Sequence, residues 1–210
     1  MGAVMSAEAQ VQATEDNWAF PPAEGWTFDQ VKDLELPFDW ELVDGMIVVR
    51  GRAKYWHGKV RDKISRTLEN AQPESLSVVT ESCVMLDEQN VRVPDVMVHD
   101  RTGLSFFEME CVPVAKLVLV VEVVSPGSPG SPGSRSVDRV HKPAEFAAAK
   151  VPYYWRVELE RDNQLAVHEY WLNADTLSYF PAPSHPVHRR ELATDFPYPV
   201  KIDLTELTRF

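Results

Sequence analysis

The chain has 210 residues, of which 44% are hydrophobic and 25% carry a charged side chain. These values are ordinary for a globular protein with a sizeable core, and no apolar run in the sequence is long enough to predict a membrane span. The net charge of −11 argues against a protein that grips nucleic acid over a broad surface, because such binding needs clustered lysine and arginine.

The first 20 residues are polar and small and show no periodicity, so they predict a flexible leader ahead of one domain over residues 21–210. They lack the basic start and apolar stretch of a secretory signal. Cys83 and Cys111 lie outside any metal-binding spacing. Together these features predict two unpaired, buried thiols in a cytoplasmic protein.

The first half of the domain begins with a predicted helix in the segment GWTFDQVKDLEL, which Thr27 caps and whose apolar side includes Phe28 and Val31. Asp44-Gly45 then separates two apolar runs and predicts a β-hairpin, because both residues tolerate a positive φ. The segment YWHGKVRDKISRTLENA has apolar residues at helical spacing and predicts an amphipathic helix that ends before Pro73.

The second half of the domain predicts several strands and one further helix. Two strand-like runs, residues 75–86 and 91–100, precede the almost entirely apolar residues 116–124, which are typical of a central strand covered on both faces. A Gly/Ser/Pro loop (125–136), a helix (140–150) and strands near YYWRVELE, LAVHEYWL, LSYF and YPVKIDL follow. This order predicts an α/β fold with a mixed sheet.

Glu122 interrupts the apolar strand LVLVVEVV. A carboxylate is costly to bury unless it is paired, protonated or bound to a metal. The residue lies near the carboxyl end of the strand, where α/β sheets tend to carry their sites. A buried arginine or lysine partner is the alternative explanation.

Asp95 follows Pro94 inside a second strand-like run, VRVPDVMV. Proline cannot donate to a sheet ladder, so the strand starts, bulges or lies at an edge there. A turn cap after Pro94 is the alternative role for Asp95. The separation from Glu122 is 27 positions (122 − 95), which allows a loop and a return strand beside the first. Two adjacent carboxylates repel each other unless a cation such as Mg²⁺ neutralises them.

Lys142 lies just beyond the loop, at the expected start of the next helix. A lysine beside a metal-bound water can orient that water or stabilise the charge that develops on a phosphate. Taken alone, a lysine at this position is more typical of a solvated surface residue. Pro143, the next residue, is compatible with a helix only in its first turn, which places the helix start near Lys142.

The motifs WELVDGMIVV, VRVPDVMV, LVLVVEVVSP and DRVHKPAEFAAAKVPYYWRVE, in this order, resemble the Uma-type restriction endonuclease family, formerly a domain of unknown function. The resemblance covers roughly residues 25–207 and implies the PD-(D/E)XK nuclease-like fold, a restriction-endonuclease-like mixed sheet flanked by helices. It implies that Asp95 and Glu122 are the two acidic residues of the motif. Val124 stands where the wider superfamily has its lysine, which points to Lys142 from the following helix.

The same resemblance matches Glu41 to an acidic position near the metal and His57 to a histidine at the start of the amphipathic helix. It implies an endonuclease that cleaves DNA with Mg²⁺ or Mn²⁺, held by Asp95, Glu122 and the Val123 backbone carbonyl. A homodimer is expected. The alternative is a non-catalytic binding or regulatory module on the same fold, which the acidic charge and the displaced lysine favour.

Overall fold

The structure, a computed structural model, describes residues 11–124 and 140–209. Contacts divide the chain into two units, Met1–Gly51 with Leu86–Arg92 and Arg52–Met85 with Val93–Phe210. Residues 1–10 of the predicted leader and the predicted loop at 125–136 lie outside the described residues.

The described residues form four α-helices and fourteen strands, numbered in chain order. The helices are α1 (Phe28–Val31), α2 (Tyr55–Ala71), α3 (Lys142–Ala148) and α4 (Leu204–Leu207). The strands are β1 (Trp40–Val43), β2 (Met46–Val49), β3 (Leu76–Thr80), β4 (Val84–Asp87), β5 (Asn90–Arg92), β6 (Val96–Asp100), β7 (Val112–Pro113), β8 (Leu117–Val124), β9 (Tyr153–Leu159), β10 (Leu165–Asn173), β11 (Ser178–Pro181), β12 (Val187–His188), β13 (Glu191–Thr194) and β14 (Val200–Asp203).

The first unit contains the predicted hairpin, in which β1 and β2 pair antiparallel and β5 pairs with the other edge of β1. The turn residues Asp44 and Gly45 have φ angles of 48° and 71°. A Cβ on Gly45 would lie 2.7 Å from the Cα of Gly25, so a larger residue would clash with backbone as well as strain the turn. The predicted hairpin is confirmed, with its glycine in the conformation that the turn requires.

Residues 11–20, the second half of the predicted leader, are hydrogen-bonded to the segment around α1. The Gln30 side chain donates to the Val11 carbonyl at 2.9 Å, and the Trp26 indole donates to the Trp18 carbonyl at 3.0 Å. The helix itself is one turn long and ends at Val31, which is fully buried. The prediction of a longer helix there is therefore wrong, although Thr27 precedes it as expected.

The second unit is built on a mixed sheet with the strand order β11-β10-β9-β8-β6-β3, with β12 beside β10. Neighbouring strands along this order are antiparallel except β8 and β9, which run parallel. A parallel pair needs a crossover connection, and α3 lies in the segment that joins these two strands. The predicted α/β fold with a mixed sheet is confirmed.

Helices cover the two faces of this sheet. Val60, Ile64 and Leu68 of α2 belong to one core cluster with Val121 and Trp155. Successive residues of a strand point to opposite faces, so Tyr154 faces away from α2.

On that opposite face, the ring of Tyr154 lies 6.3 Å from the ring of Phe146 in α3. The central strand β8 is thus covered on both sides, which explains its apolar sequence.

Each of the two strand-like runs before β8 is divided. Residues 75–86 give β3 and the start of β4, whereas residues 91–100 give the end of β5 and all of β6. Pro94 lies in the break between β5 and β6, where its missing N–H costs no ladder hydrogen bond. The break leaves Asp95 at the entrance of β6 instead of inside a continuous strand.

Cys83 and Cys111 form a disulfide, with their Cα atoms 4.8 Å apart. The prediction of two unpaired thiols is therefore wrong. The sequence predicts isolated thiols because the cysteines fit no metal-binding spacing and a reducing compartment is expected. The parallel pairing of β4 with β7 brings Val84 opposite Val112 and so aligns the two cysteines that precede these residues. Among the described residues, no helix is long and apolar enough to cross a membrane.

Candidate active site

Asp95 lies at the entrance of β6 and is 5% exposed. Its Oδ2 accepts a hydrogen bond from the backbone N–H of Val123 at 2.7 Å and lies 3.2 Å from Nε2 of His57. Within the described part of the chain, Oδ1 makes no hydrogen bond. One carboxylate oxygen is therefore held in place, and the other is available to a ligand.

Glu122 lies inside β8 and is 4% exposed. Its Oε1 accepts a hydrogen bond from Nζ of Lys142 at 3.1 Å, and that lysine is 7% exposed. The buried acid therefore has the cationic partner that its apolar surroundings require. This partner, Lys142, is also the lysine that the sequence predicts to be functional. The contact therefore agrees both with a buried ion pair and with a functional site at Glu122.

The sheet brings these three side chains together. β6 and β8 pair antiparallel with Val96 opposite Val121, so Asp95, one residue earlier, reaches the Glu122–Val123 segment. The crossover from β8 to β9 contains α3, and the first residue of this helix is Lys142. Pro143 is the second residue of that helix, where no intrahelical N–H bond is lost.

Opposing effects set the ionisation of Asp95 and His57. Burial disfavours the charged form of Asp95, but the hydrogen bond and charge of His57, the Val123 N–H and the charge of Lys142 outweigh it and lower the pKa of Asp95. Burial likewise opposes protonation of His57, whereas Asp95 and the Val123 backbone raise its pKa above the ordinary value. The geometry thus favours an ionised Asp95, the form that a cation requires.

His57 is in the first turn of α2 and is 7% exposed. Its Nε2 faces Asp95, and its Nδ1 is buried without a hydrogen-bond partner among the described residues. Arg61, one helical turn later, pairs with Glu81 at 2.5 Å, and the Glu81 N–H donates to the Asp95 carbonyl at 3.3 Å. The sequence reasoning missed Arg61, although its spacing of four from His57 places both on one helix face.

Glu41 belongs to β1 of the first unit and is 5% exposed. Its Oε2 lies 3.1 Å from Nη1 of Arg92, and its Oε1 lies 3.9 Å from Nε of Arg50. The residue is therefore neutralised by two arginines within its own unit, and its role as a metal ligand stays a prediction.

Asp95 and Glu122 are oxygen donors suited to a hard divalent cation. No group of three or more His, Cys, Asp or Glu side chains is arranged to hold a metal among the described residues. Two carboxylates are nevertheless sufficient for Mg²⁺, which keeps several waters and takes further oxygens from substrate phosphates. The donor set, with the unbonded Oδ1 of Asp95, fits such an ion.

Arg156 is a second residue that the sequence reasoning passed over. It lies on β9 directly beside Glu122 in the parallel register. A lone arginine inside YYWRVELE gives no sequence signal of its own, because only the strand pairing shows which residue stands next to it.

Comparison with known proteins supplies the remaining evidence. Among curated proteins, none matches this chain at a significant level. A solved structure, described as "a putative nuclease belonging to DUF820 from Anabaena variabilis ATCC 29413", is similar with a TM-score of 0.58 and 13% sequence identity. The similarity covers 87% of this chain and 97% of the other, so the two share a fold.

The predicted restriction-endonuclease-like fold is therefore confirmed, and so is the resemblance on which it was based. Residues 27–190 match the family Uma2, whose description is "Putative restriction endonuclease". That match spans most of the described residues and includes Asp95, Glu122 and Lys142. The chain belongs to the Uma2 family.

Proposed function

We propose that the protein is a Mg²⁺- or Mn²⁺-dependent endonuclease that hydrolyses DNA phosphodiester bonds. Family membership and the shared fold support a nuclease-like function. The observation that carries the finer proposal concerns three buried side chains near the carboxyl end of the central strand β8. Asp95 binds the backbone N–H of Val123, and the preceding residue, Glu122, binds the ammonium group of Lys142.

Asp95 and Glu122 would hold the cation, with the Val123 carbonyl as a backbone ligand. A divalent cation in such a site supplies a nucleophilic water at neutral pH and neutralises phosphate charge. The protein's part is to present the two carboxylates ionised. The Val123 N–H and His57 do this for Asp95 by holding Oδ2.

Lys142 provides the fixed positive charge of the site. Its ammonium group lies 3.1 Å from Oε1 of Glu122, and the residue itself is the first of α3, directly before a proline. We propose that this ammonium group orients the attacking water and stabilises the negative charge that develops on the phosphate. The buried surroundings strengthen both interactions.

The test is plasmid cleavage with Mn²⁺ by wild type, Asp95→Asn and Glu122→Gln. Glu169→Gln is the matched control, because Glu169 is a 3% exposed carboxylate on β10 that is bonded to Trp171, Thr194 and His188 instead of to the site. We expect the two site variants to lose cleavage and the control to keep it. Equal cleavage by wild type and both site variants would contradict the assignment.

The second candidate is a non-catalytic module on the same fold, in which the Glu122–Lys142 pair is a structural ion pair. The net charge of −11 favours it, because DNA contact must then be weak or local. Mn²⁺ calorimetry separates the two functions. Binding that Glu122→Gln abolishes supports the nuclease, whereas wild-type protein that binds no Mn²⁺ supports the module. The homodimer that we propose for either function is tested by light scattering.

A further inference from the structure

A cavity of about 360 Å³ lies between α3 and the strands β9, β10 and β11. Pro143 and Ala144 line it from the helix, and Arg156, Tyr170 and Tyr179 line it from the sheet. The described residues of the lining include an arginine but no acidic side chain, in a chain whose net charge is −11. The lining therefore carries one cationic group, Arg156, whose carboxylate neighbour Glu158 is not part of the lining.

The cavity begins beside the candidate active site. Arg156 stands next to Glu122 in the parallel pairing of β8 and β9, and neighbouring strands are only about 4.8 Å apart. On the helix side, Pro143 directly follows Lys142, whose Nζ contacts Glu122. A ligand in the cavity would thus adjoin the phosphate that is cleaved under the proposed function.

Arg156 is held in position and still has hydrogen-bonding capacity. Its Nε and Oε1 of Glu158 form an ion pair at 2.6 Å whose geometry is not that of a hydrogen bond, and its guanidinium lies 5.3 Å from the centroid of the Tyr170 ring. Its Nη groups form no hydrogen bond with the described residues. A planar guanidinium fixed in this way is suited to a phosphate, which it binds through two parallel N–H donors.

The two tyrosine rings of the lining, Tyr170 and Tyr179, are each held by contacts with neighbouring residues. The ring of Tyr179 stacks on that of Tyr154 at 5.3 Å, and its hydroxyl donates to the Val151 carbonyl at 2.9 Å. Tyr170 is in turn covered by the Arg156 guanidinium. Fixed aromatic rings bind a planar base at a small cost in conformational entropy, and such stacking tolerates any base sequence.

We propose that this cavity is a subsite for one nucleotide of the DNA substrate, next to the cleaved phosphodiester. Its phosphate contacts Arg156 and its base lies against the tyrosine walls. The inference rests on the proposed function and narrows its substrate class. A base can enter such a cavity only when it leaves the helical stack, so the preferred substrate is DNA with an unpaired nucleotide beside the cut.

The experiment titrates the full chain with deoxyadenosine monophosphate in EDTA and follows binding by NMR. The test variant is Ala144→Phe, which fills the cavity from an exposed position of α3. The matched control is Ala148→Phe, the same change at an exposed position of the same helix outside the cavity lining. We expect Ala144→Phe to weaken binding at least about tenfold and Ala148→Phe to leave it unchanged.

Two smaller probes, each carrying one half of the nucleotide, test the phosphate contact and the base contact separately. Inorganic phosphate and deoxyadenosine should each bind more weakly than the nucleotide, and Arg156→Gln should weaken the phosphate-bearing probes without changing deoxyadenosine. Phosphate that binds as tightly as the nucleotide would overturn the base subsite. So would identical nucleotide binding by wild type, Ala144→Phe and Ala148→Phe, or no binding by wild type.

Failure of the subsite and failure of the proposed function are distinguishable. Mn²⁺ calorimetry on the same proteins should give one affinity for wild type and Ala144→Phe, because the cavity does not include Asp95. Normal Mn²⁺ binding without nucleotide binding overturns the subsite alone. A wild-type protein that neither binds Mn²⁺ nor cleaves plasmid overturns the proposed function, and the subsite with it.

Discussion

The contact between His57 and Asp95 gives the sharpest prediction for the candidate metal site. Asp95 Oδ2 has two donors, the Val123 N–H at 2.7 Å and His57 Nε2 at 3.2 Å. His57→Ala removes one of them and leaves the carboxylate held by a single bond from the backbone. The carboxylate is then free to rotate, and part of the binding energy of a cation must be used to order it again.

The expected size of the effect follows from this loss. Removal of a residue that holds a metal-binding side chain commonly weakens metal binding by about 10- to 100-fold, or about 1.4–2.8 kcal/mol. We expect His57→Ala to fall in this range. His57→Gln should recover most of the affinity, because the Gln Nε2 carries a donor at a similar distance from the backbone.

Mn²⁺ calorimetry on the folded proteins measures the effect, with thermal melting to show that each variant is folded. The control is His99→Gln, since His99 is another buried histidine of the same unit, whose ring contacts the Asp100 carbonyl. Wild-type affinity in His57→Ala would refute the reasoning. Tighter binding in that variant would also refute it, because His57 would then be competing with the cation for Asp95.

Three further predictions concern stability. Lys142→Met removes the ammonium partner of a buried carboxylate, so the free energy of unfolding in urea without metal should fall by about 3–5 kcal/mol; an unchanged value would show that the pair is not needed. Reduction of the disulfide between Cys83 and Cys111, which are 28 positions apart, should lower that free energy by about 3–4 kcal/mol, and two reactive thiols in the unreduced native protein would contradict the pairing. Burial raises the pKa of Glu169, but bonds from His188, Thr194 and Trp171 outweigh it and lower the pKa below its ordinary 4.5. Its stabilising contribution is therefore present above that pH and is lost as pH falls through the lowered value, a loss that urea unfolding across acidic pH should show in wild type and not in Glu169→Gln.

Local sequence patterns predicted much of the fold. The Asp44-Gly45 turn depends on residues close in the chain, the helical spacing of α2 on burial of one face, and the apolar run of β8 on burial of both faces. Local sequence patterns gave wrong predictions where contacts between distant residues determine the bounds of the strands. The division of two predicted strands into β3, β4, β5 and β6 depends on pairing partners far along the chain, which periodicity does not reveal.

The candidate site likewise combines residues that the sequence predicts with contacts that only the tertiary structure shows. A carboxylate inside an apolar strand and an aspartate after a proline are conspicuous in the sequence because burial makes them costly, so Asp95 and Glu122 could be predicted without coordinates. Lys142 could be placed near the start of α3 but not against Glu122. That contact depends on the crossover between two parallel strands.

The sequence alone thus determined which buried carboxylates need a hydrogen-bond, ionic or metal partner, because their burial follows from the apolar residues next to them in the chain. Only the tertiary structure decided which residues lie against these carboxylates. His57 reaches Asp95 from α2, Arg156 stands beside Glu122 only through strand register, and Cys83 meets Cys111 through the pairing of β4 with β7. These contacts join residues that are distant in sequence, and the physical reason is that strand pairing and helix packing set which distant side chains share one small volume.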